Sequence, residues 1–164
     1  WLNQYLTYEG LSAPVRQFVD GLTALHEYPE DLKKNIKRAG ADPGRGTEVP
    51  VVCTHPETGR RFLYVNRMYT TRIPQLSPSE SKAVLEMLFT HCEDPRNVVR
   101  YRWSEGTTAV WDNRCTQHCV VNDFVGERII RRVTIGGGEV AGDASPWENY
   151  EPRAPSVRSM MGLG

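Results

Sequence analysis

Trp111-Asp112-Asn113-Arg114-Cys115-Thr116-Gln117-His118, followed by Glu127-Arg128-Ile129-Ile130-Arg131-Arg132-Val133-Thr134-Ile135, is the most informative stretch of this 164-residue chain. Thr107 to Trp111 is β-branched and aromatic and predicts a strand. Gly106 supplies a turn before it, and Asp112-Asn113 end it, because short polar side chains favour turns over ladders. His118 is expected just past that strand end, where scaffolds commonly present reactive groups. Glu127 to Ile135 predicts the next strand, closed by Gly136-Gly137-Gly138. Side chains alternate across a strand, so Arg128, Ile130, Arg132 and Thr134 share one face. At about 3.3 Å per residue the two arginines start roughly 13 Å apart, which suits two separate anions better than one. Arginine is the side chain suited to bidentate capture of a carboxylate or sulfonate. Each feature alone has a plainer reading, a hydrogen-bonded structural histidine or a solvated arginine; their joint occurrence favours a site.

The rest of the chain limits what that site serves. Lysine plus arginine and aspartate plus glutamate each number 20, so the formal net charge is zero and bulk electrostatics favour neither nucleic acid nor an anionic membrane. No apolar run approaches a transmembrane span. Hydrophobic residues make up 39% and charged residues 24%, the balance of a globular domain with a sizeable core. Cysteines at 53, 92, 115 and 119 follow no disulfide framework and read as reduced thiols of a cytoplasmic protein.

Local signals place the scaffold. Trp1 to Gly10 is amphipathic, with Leu2, Tyr5, Leu6 and Tyr8 expected toward a core. Ser12-Ala13-Pro14 starts a helix that the spacing of Val15, Phe18, Val19, Leu22 and Leu25 carries to about His26, with Gly21 a weak point. Pro29 to Glu48 is polar and predicts a short solvated helix and a loop, or a lid. Val51–Thr54 and Arg61–Val65 predict a hairpin around Pro56-Glu57-Thr58-Gly59. Ser77-Pro78-Ser79-Glu80 is a capping-box signature, opening a helix with Val84, Leu85, Leu88 and Phe89 as its stripe and Asp94-Pro95 as its stop. Val98 to Trp103 predicts a strand. After Gly138 the chain is Gly-, Pro- and Ser-rich and predicts an extended tail over 139–164, able to pack on a neighbouring subunit through Trp147 and Tyr150. Short strands, few helices and many turns predict a mainly β fold with flanking helices, a jelly roll or double-stranded β-helix.

Trp-Asp-Asn-Arg-x-Thr-Gln-His, followed by Arg128 and Arg132, resembles the C-terminal signature of the taurine dioxygenase (TauD/TfdA) family. The resemblance takes in Thr54-His55-Pro56-Glu57-Thr58-Gly59-Arg60, Tyr64-Val65-Asn66, Tyr69 to Ile73 and Tyr8 to Ser12, and covers roughly residues 1 to 137. It implies a dioxygenase using Fe(II), 2-oxoglutarate and O₂, which oxidatively decarboxylates 2-oxoglutarate to succinate while hydroxylating a small anionic sulfonate, sulfate or carboxylate, as in taurine catabolism. On that resemblance His118 is a metal ligand, Arg128 binds the cosubstrate, and Arg132, Tyr69 and Tyr28 face substrate. No side chain need act as acid or base. A homo-oligomer is expected.

The family takes its other two metal ligands from a His-x-Asp motif, and no His-x-Asp occurs here. His55-Pro56-Glu57 and His91-Cys92-Glu93 lie at a turn and a helix end, away from the family's ligand position, and His26 fits no ligand spacing. The chain therefore reads as a C-terminal portion of a jelly-roll dioxygenase domain over 1–138. Val125-Gly126 makes the His118–Arg128 interval one residue shorter than in the taurine enzyme, and Cys119 and Arg131 depart from common residues, which argues against taurine itself as substrate. Two alternatives compete: a zinc site on Cys115-x-x-His118-Cys119, and a non-catalytic jelly-roll binding module.

Overall fold

The computed structural model describes residues 1–136 and 141–152. Its elements run β1 (Leu2–Asn3), α1 (Gln4–Glu9), α2 (Ala13–Val19), β2 (Thr23–His26), α3 (Glu30–Arg38), β3 (Thr47–Pro50), β4 (Val52–Thr54), β5 (Arg61–Leu63), β6 (Thr70–Arg72), α4 (Pro78–Cys92), a 3-10 turn (Pro95–Asn97) and β7 (Thr116–Gln117). Helix α4 forms where the capping signal puts it. The Ser77 N–H donates to Glu80 Oε2 at 2.9 Å, and the Glu80 N–H points back to Ser77 Oγ. One stripe of α4, Ser81, Leu85, Leu88, Phe89 and Cys92, is buried at helical spacing. Ser81 Oγ accepts the Ile73 N–H at 2.8 Å, and His91 Nε2 bonds the Thr7 carbonyl at 2.8 Å, so polar ties fix the helix to β6 and α1.

Strand β2 is central in the antiparallel order β3-β2-β6. This corrects the predicted helix through His26: α2 stops at Val19, and Leu22 and Ala24 then bury at a spacing of two. The apolar residues at 15, 18, 22 and 25 fit helical spacing too, but Phe18 is 42% exposed. Ladders on both sides of β2 supply pairing that the local pattern does not encode. Gly21 lies at the break for a packing reason. A Cβ there would approach Pro146 Cδ to 2.6 Å.

The β4–β5 hairpin forms as predicted, pairing Val52 with Leu63 and Thr54 with Arg61. α3 is solvated, with no buried residue, also as predicted. In α1 the buried residues are Gln4, Thr7 and Tyr8, whereas Leu6 is exposed, contrary to expectation. The main core joins Leu2, Val19, Leu22, Val51, Leu63, Val65, Ile73 and Leu88, and a smaller cluster joins Cys53, Phe62 and Cys115.

Three predicted strands are not formed. Residues 99–103, 107–111 and 127–135 run without ladders, apart from a single bridge of Val98 to Leu2 beside the first of them. Ile129, Val133 and Ile135 stand exposed. A strand exists only as one of a pair, and among the described residues 127–135 forms no ladder with another segment. Helices consequently hold more of the described residues than strands, so the observed class is mixed α and β rather than mainly β.

Part of the tail is described, and it runs without helix or strand. Described residues 141–152 pack on this chain: Thr54 N–H donates to Ala141 O at 2.8 Å, Arg61 pairs with Asp143 at 2.6 Å, and Tyr150 N–H donates to Pro74 O at 2.9 Å. Gly137, Gly138 and the rest of the predicted tail lie outside the described residues.

Candidate active site

The segment before His118 is fastened to the β4–β5 hairpin by a polar network. His55 is 3% exposed. Its Nδ1 accepts the backbone N–H groups of Glu57 at 3.2 Å and Thr58 at 3.3 Å. That leaves the ring proton on Nε2, which faces Asp112 Oδ2 at 3.0 Å. Asp112 also accepts the Arg114 backbone N–H at 2.8 Å and the Arg114 guanidinium at 2.5 Å, and Arg114 reaches Glu57 at 3.2 Å. Hydrogen bonding to Arg114 holds the Asp112 carboxyl well below the usual carboxylate range. Cys115 then inserts among Cys53 and Phe62. Beyond it, β7 pairs with β1, Cys115 O accepts from Gln4 N–H at 3.0 Å, and Gln117 Nε2 donates to Val65 O at 2.7 Å. His118 is the first residue past these fastenings.

The four histidines differ in what their nitrogens do. His26 bonds Thr70 Oγ1 at 2.9 Å, His55 bonds Asp112, and His91 bonds Thr7. None of the hydrogen bonds among the described residues engages His118, whose ring leans on Trp111 with centroids 4.9 Å apart. Trp111 in turn packs edge-on against Trp1 at 5.3 Å, beside Trp103 and Tyr101. Partial desolvation of the exposed His118 ring lowers its pKa, and the charge of Arg132 adds to that shift. An imidazole whose nitrogens have no hydrogen-bond partner among the described residues fits one position of an Fe(II) site. Among the described residues, the group of metal-ligating atoms within 4.8 Å of one another is His55, Asp112 and Cys115. Its carboxylate already holds a guanidinium, and the predicted Cys115/His118/Cys119 zinc knuckle is not assembled: Cys115 is buried while His118 and Cys119 are exposed.

The remaining predicted residues fall into two places. Arg132 acts electrostatically on His118, and the Arg128 guanidinium lies 5.5 Å from the Phe124 ring centroid. Tyr28 and Tyr69 meet edge to face, centroids 6.3 Å apart, in the wall of a cavity of about 270 Å³ completed by His26, Glu27, Thr47 and the loop Pro43–Gly46. A larger cavity of about 590 Å³ between β6, α4 and Tyr150 contains none of the predicted site residues. Sequence reasoning missed the fastening role of His55, Asp112 and Arg114; their partners lie more than fifty positions apart in the chain.

The model of the family described as taurine catabolism dioxygenase TauD, TfdA family, matches residues 1–134. The chain belongs to the TauD/TfdA family. Two curated relatives are similar along most of it. The alkylsulfatase of Acinetobacter baylyi is 36% identical over 155 residues, covering 87% of this chain and 48% of the relative. The alpha-ketoglutarate-dependent sulfate ester dioxygenase of Pseudomonas putida is 37% identical over 149 residues, covering 84% and 49%. The chain thus spans about half the length of the curated relatives it matches. The crystal structure of a taurine dioxygenase from Burkholderia xenovorans superposes with a TM-score of 0.54 at 41% identity, over 63% of this chain and 34% of that one.

Proposed function

We propose that residues 1–138 form part of a double-stranded β-helix of an Fe(II)- and 2-oxoglutarate-dependent dioxygenase acting on a small sulfate ester or sulfonate. The names of the relatives, an alkylsulfatase and a sulfate ester dioxygenase, support that substrate class. Exposed Ile129, Val133 and Ile135 support a sheet that continues beyond the described pairs. The observation that carries the reading is an imidazole, His118, that stands just past the fastened segment against Trp111 and makes no hydrogen bond among the described residues.

Iron held in part by His118, with 2-oxoglutarate and O₂, would supply the oxidant for hydroxylation, with succinate and CO₂ as co-products. His118 provides one nitrogen ligand, and the described residues place no second ligand beside it. The network of His55, Asp112 and Arg114 fixes the backbone that carries His118, so the ligand is oriented before metal arrives. Arg128 binds a carboxylate of 2-oxoglutarate, and Arg132 binds the substrate anion. Tyr28 and Tyr69 wall the organic part of the substrate.

Anaerobic addition of Fe(II) and 2-oxoglutarate to the full-length enzyme tests this reading. A visible charge-transfer band is expected, and none from an intact protein overturns it. Arg128→Ala raises the 2-oxoglutarate requirement, whereas Arg132→Ala weakens use of the anionic substrate and spares 2-oxoglutarate; the reverse outcome exchanges the two roles.

A further inference from the structure

His118 differs from the other histidines in what sets the plane of its ring. An imidazole turns about its last side-chain bond through a broad well, so its own rotamer leaves the ring plane loose. A ligating histidine is commonly steadied through its second nitrogen, which donates to a carboxylate or a carbonyl. His26, His55 and His91 each have a hydrogen-bond partner at a ring nitrogen, and among the described residues His118 has none. The ring packed on it is Trp111, with centroids 4.9 Å apart and planes tilted by 58°. That separation lies in the range of favourable aromatic pairs, roughly 4.5–7 Å.

Trp111 is itself fixed by two neighbours. Its indole Nε1 donates to Asn113 Oδ1 at 3.1 Å, which ties the ring to the turn that Asp112 fastens to His55. It also meets Trp1 edge-on, with centroids 5.3 Å apart. Trp1 exchanges two backbone hydrogen bonds with Val99, each 2.7 Å, and Trp103 and Tyr101 lie beside it at 5.8 Å and 6.4 Å. The Trp1 Nε1 is buried without a hydrogen-bond partner among the described residues. An unpaired buried donor works against stability, so that ring is kept in place by its backbone ties and by its packing on Trp111 and Trp103.

We propose that Trp111 is a positioning residue: its indole, backed by Trp1, holds the plane of the His118 imidazole, so that the side chain is oriented before metal is bound. This rests on the reading of His118 as a metal ligand. Positioning through the ring face does what a hydrogen bond to a ring nitrogen does not: it restrains the plane and leaves both nitrogens open. The two supports are complementary. The network of His55, Asp112 and Arg114 fixes the backbone that leads to His118, and Trp111 fixes the ring.

Titration of the full-length enzyme, freed of metal and without 2-oxoglutarate, with Co(II) tests the proposal through affinity and through the visible ligand-field band, with no turnover involved. His118→Ala should abolish tight binding. Trp111→Ala is expected to broaden the band and to weaken Co(II) binding about tenfold, the lower end of the roughly 10–100-fold loss that follows when a ligand's support is removed. Trp111→Leu, which keeps an apolar side chain and loses the ring face, should do the same, and carries the test if the alanine variant does not fold. Trp111→Phe keeps an aromatic face and should stay within about twofold of the unmodified protein. Trp103→Ala opens the same cluster at a ring that packs on Trp1 and Tyr101; it should lower the urea midpoint and leave Co(II) affinity unchanged. Equal affinity in the unmodified protein and in both Trp111→Ala and Trp111→Leu overturns the proposal. An equal loss in Trp103→Ala also overturns it, because the effect would then be one of general stability. So does a Trp111→Phe variant as weak as Trp111→Ala, which would trace the loss to the indole hydrogen bond with Asn113. If His118→Ala binds Co(II) as tightly as the unmodified protein, the reading of His118 as a ligand fails and takes the proposal with it.

Discussion

Replacing Asp112 with alanine removes the acceptor for a buried donor. His55 is 3% exposed, and two backbone N–H groups fix its Nδ1 as an acceptor, so its Nε2 proton has Asp112 Oδ2, 3.0 Å away, as its partner. Orphaning a buried N–H costs about 1–3 kcal/mol. The Asp112–Arg114 contact is partly exposed and screened, and adds little to that. The expected loss is about 2 kcal/mol, which at ordinary urea slopes moves the unfolding midpoint down by roughly 1 M. A double-mutant cycle isolates the cause. In a His55→Phe background no donor remains to be orphaned, so Asp112→Ala should cost less than about 0.5 kcal/mol. An equal cost in both backgrounds refutes the fastening role of the pair. The depressed Asp112 pKa sets the pH dependence. Its stabilisation is complete above the unfolded value, about 3.9, and is lost as pH falls through the lower folded value. The stability gap between the unmodified protein and Asp112→Asn should therefore stay constant from neutral pH down to about 4 and close below it.

Leu88→Ala should destabilise by about 2–5 kcal/mol, because its side chain is fully buried under α4, while Leu6→Ala, at an exposed site, should stay within about 0.5 kcal/mol; comparable effects in urea unfolding contradict the observed faces of the two helices. Burial pushes the Cys53 and Cys92 thiols up to about 12, so at pH 8 both should resist a disulfide-exchange reagent until urea unfolds the chain. Their modification within minutes in the folded protein, followed by mass spectrometry, would falsify that burial.

Recognition of the family rested on short-range pattern. Trp-Asp-Asn-Arg-x-Thr-Gln-His is contiguous, so it could be read with no knowledge of packing. The Ser77–Glu80 box and the Pro56–Gly59 turn were equally legible, because capping and turn hydrogen bonds close within a few residues. Leu22 to His26 was not, because spacings of three and four and a spacing of two both fit the same apolar residues, and the pairing of β2 on both sides decided between them. Residues 127–135 have the composition of a strand and lack a partner among the described residues, so propensity alone leaves them unpaired.

The order of residues was enough to single out the candidate side chains: His118, Arg128 and Arg132 come from the motif, and their charges and donor atoms need no fold. Folding set what holds and surrounds them. It makes Asp112 and Arg114 of the same motif fasteners to His55, leaves the His118 nitrogens without a hydrogen bond among the described residues where the other three histidines are engaged, and brings Tyr28 and Tyr69 into the wall of one cavity. The physical reason is range. A capping bond or a turn is set by neighbours in the chain, whereas a buried imidazole's partner and a cavity's wall are set by residues that only folding brings together.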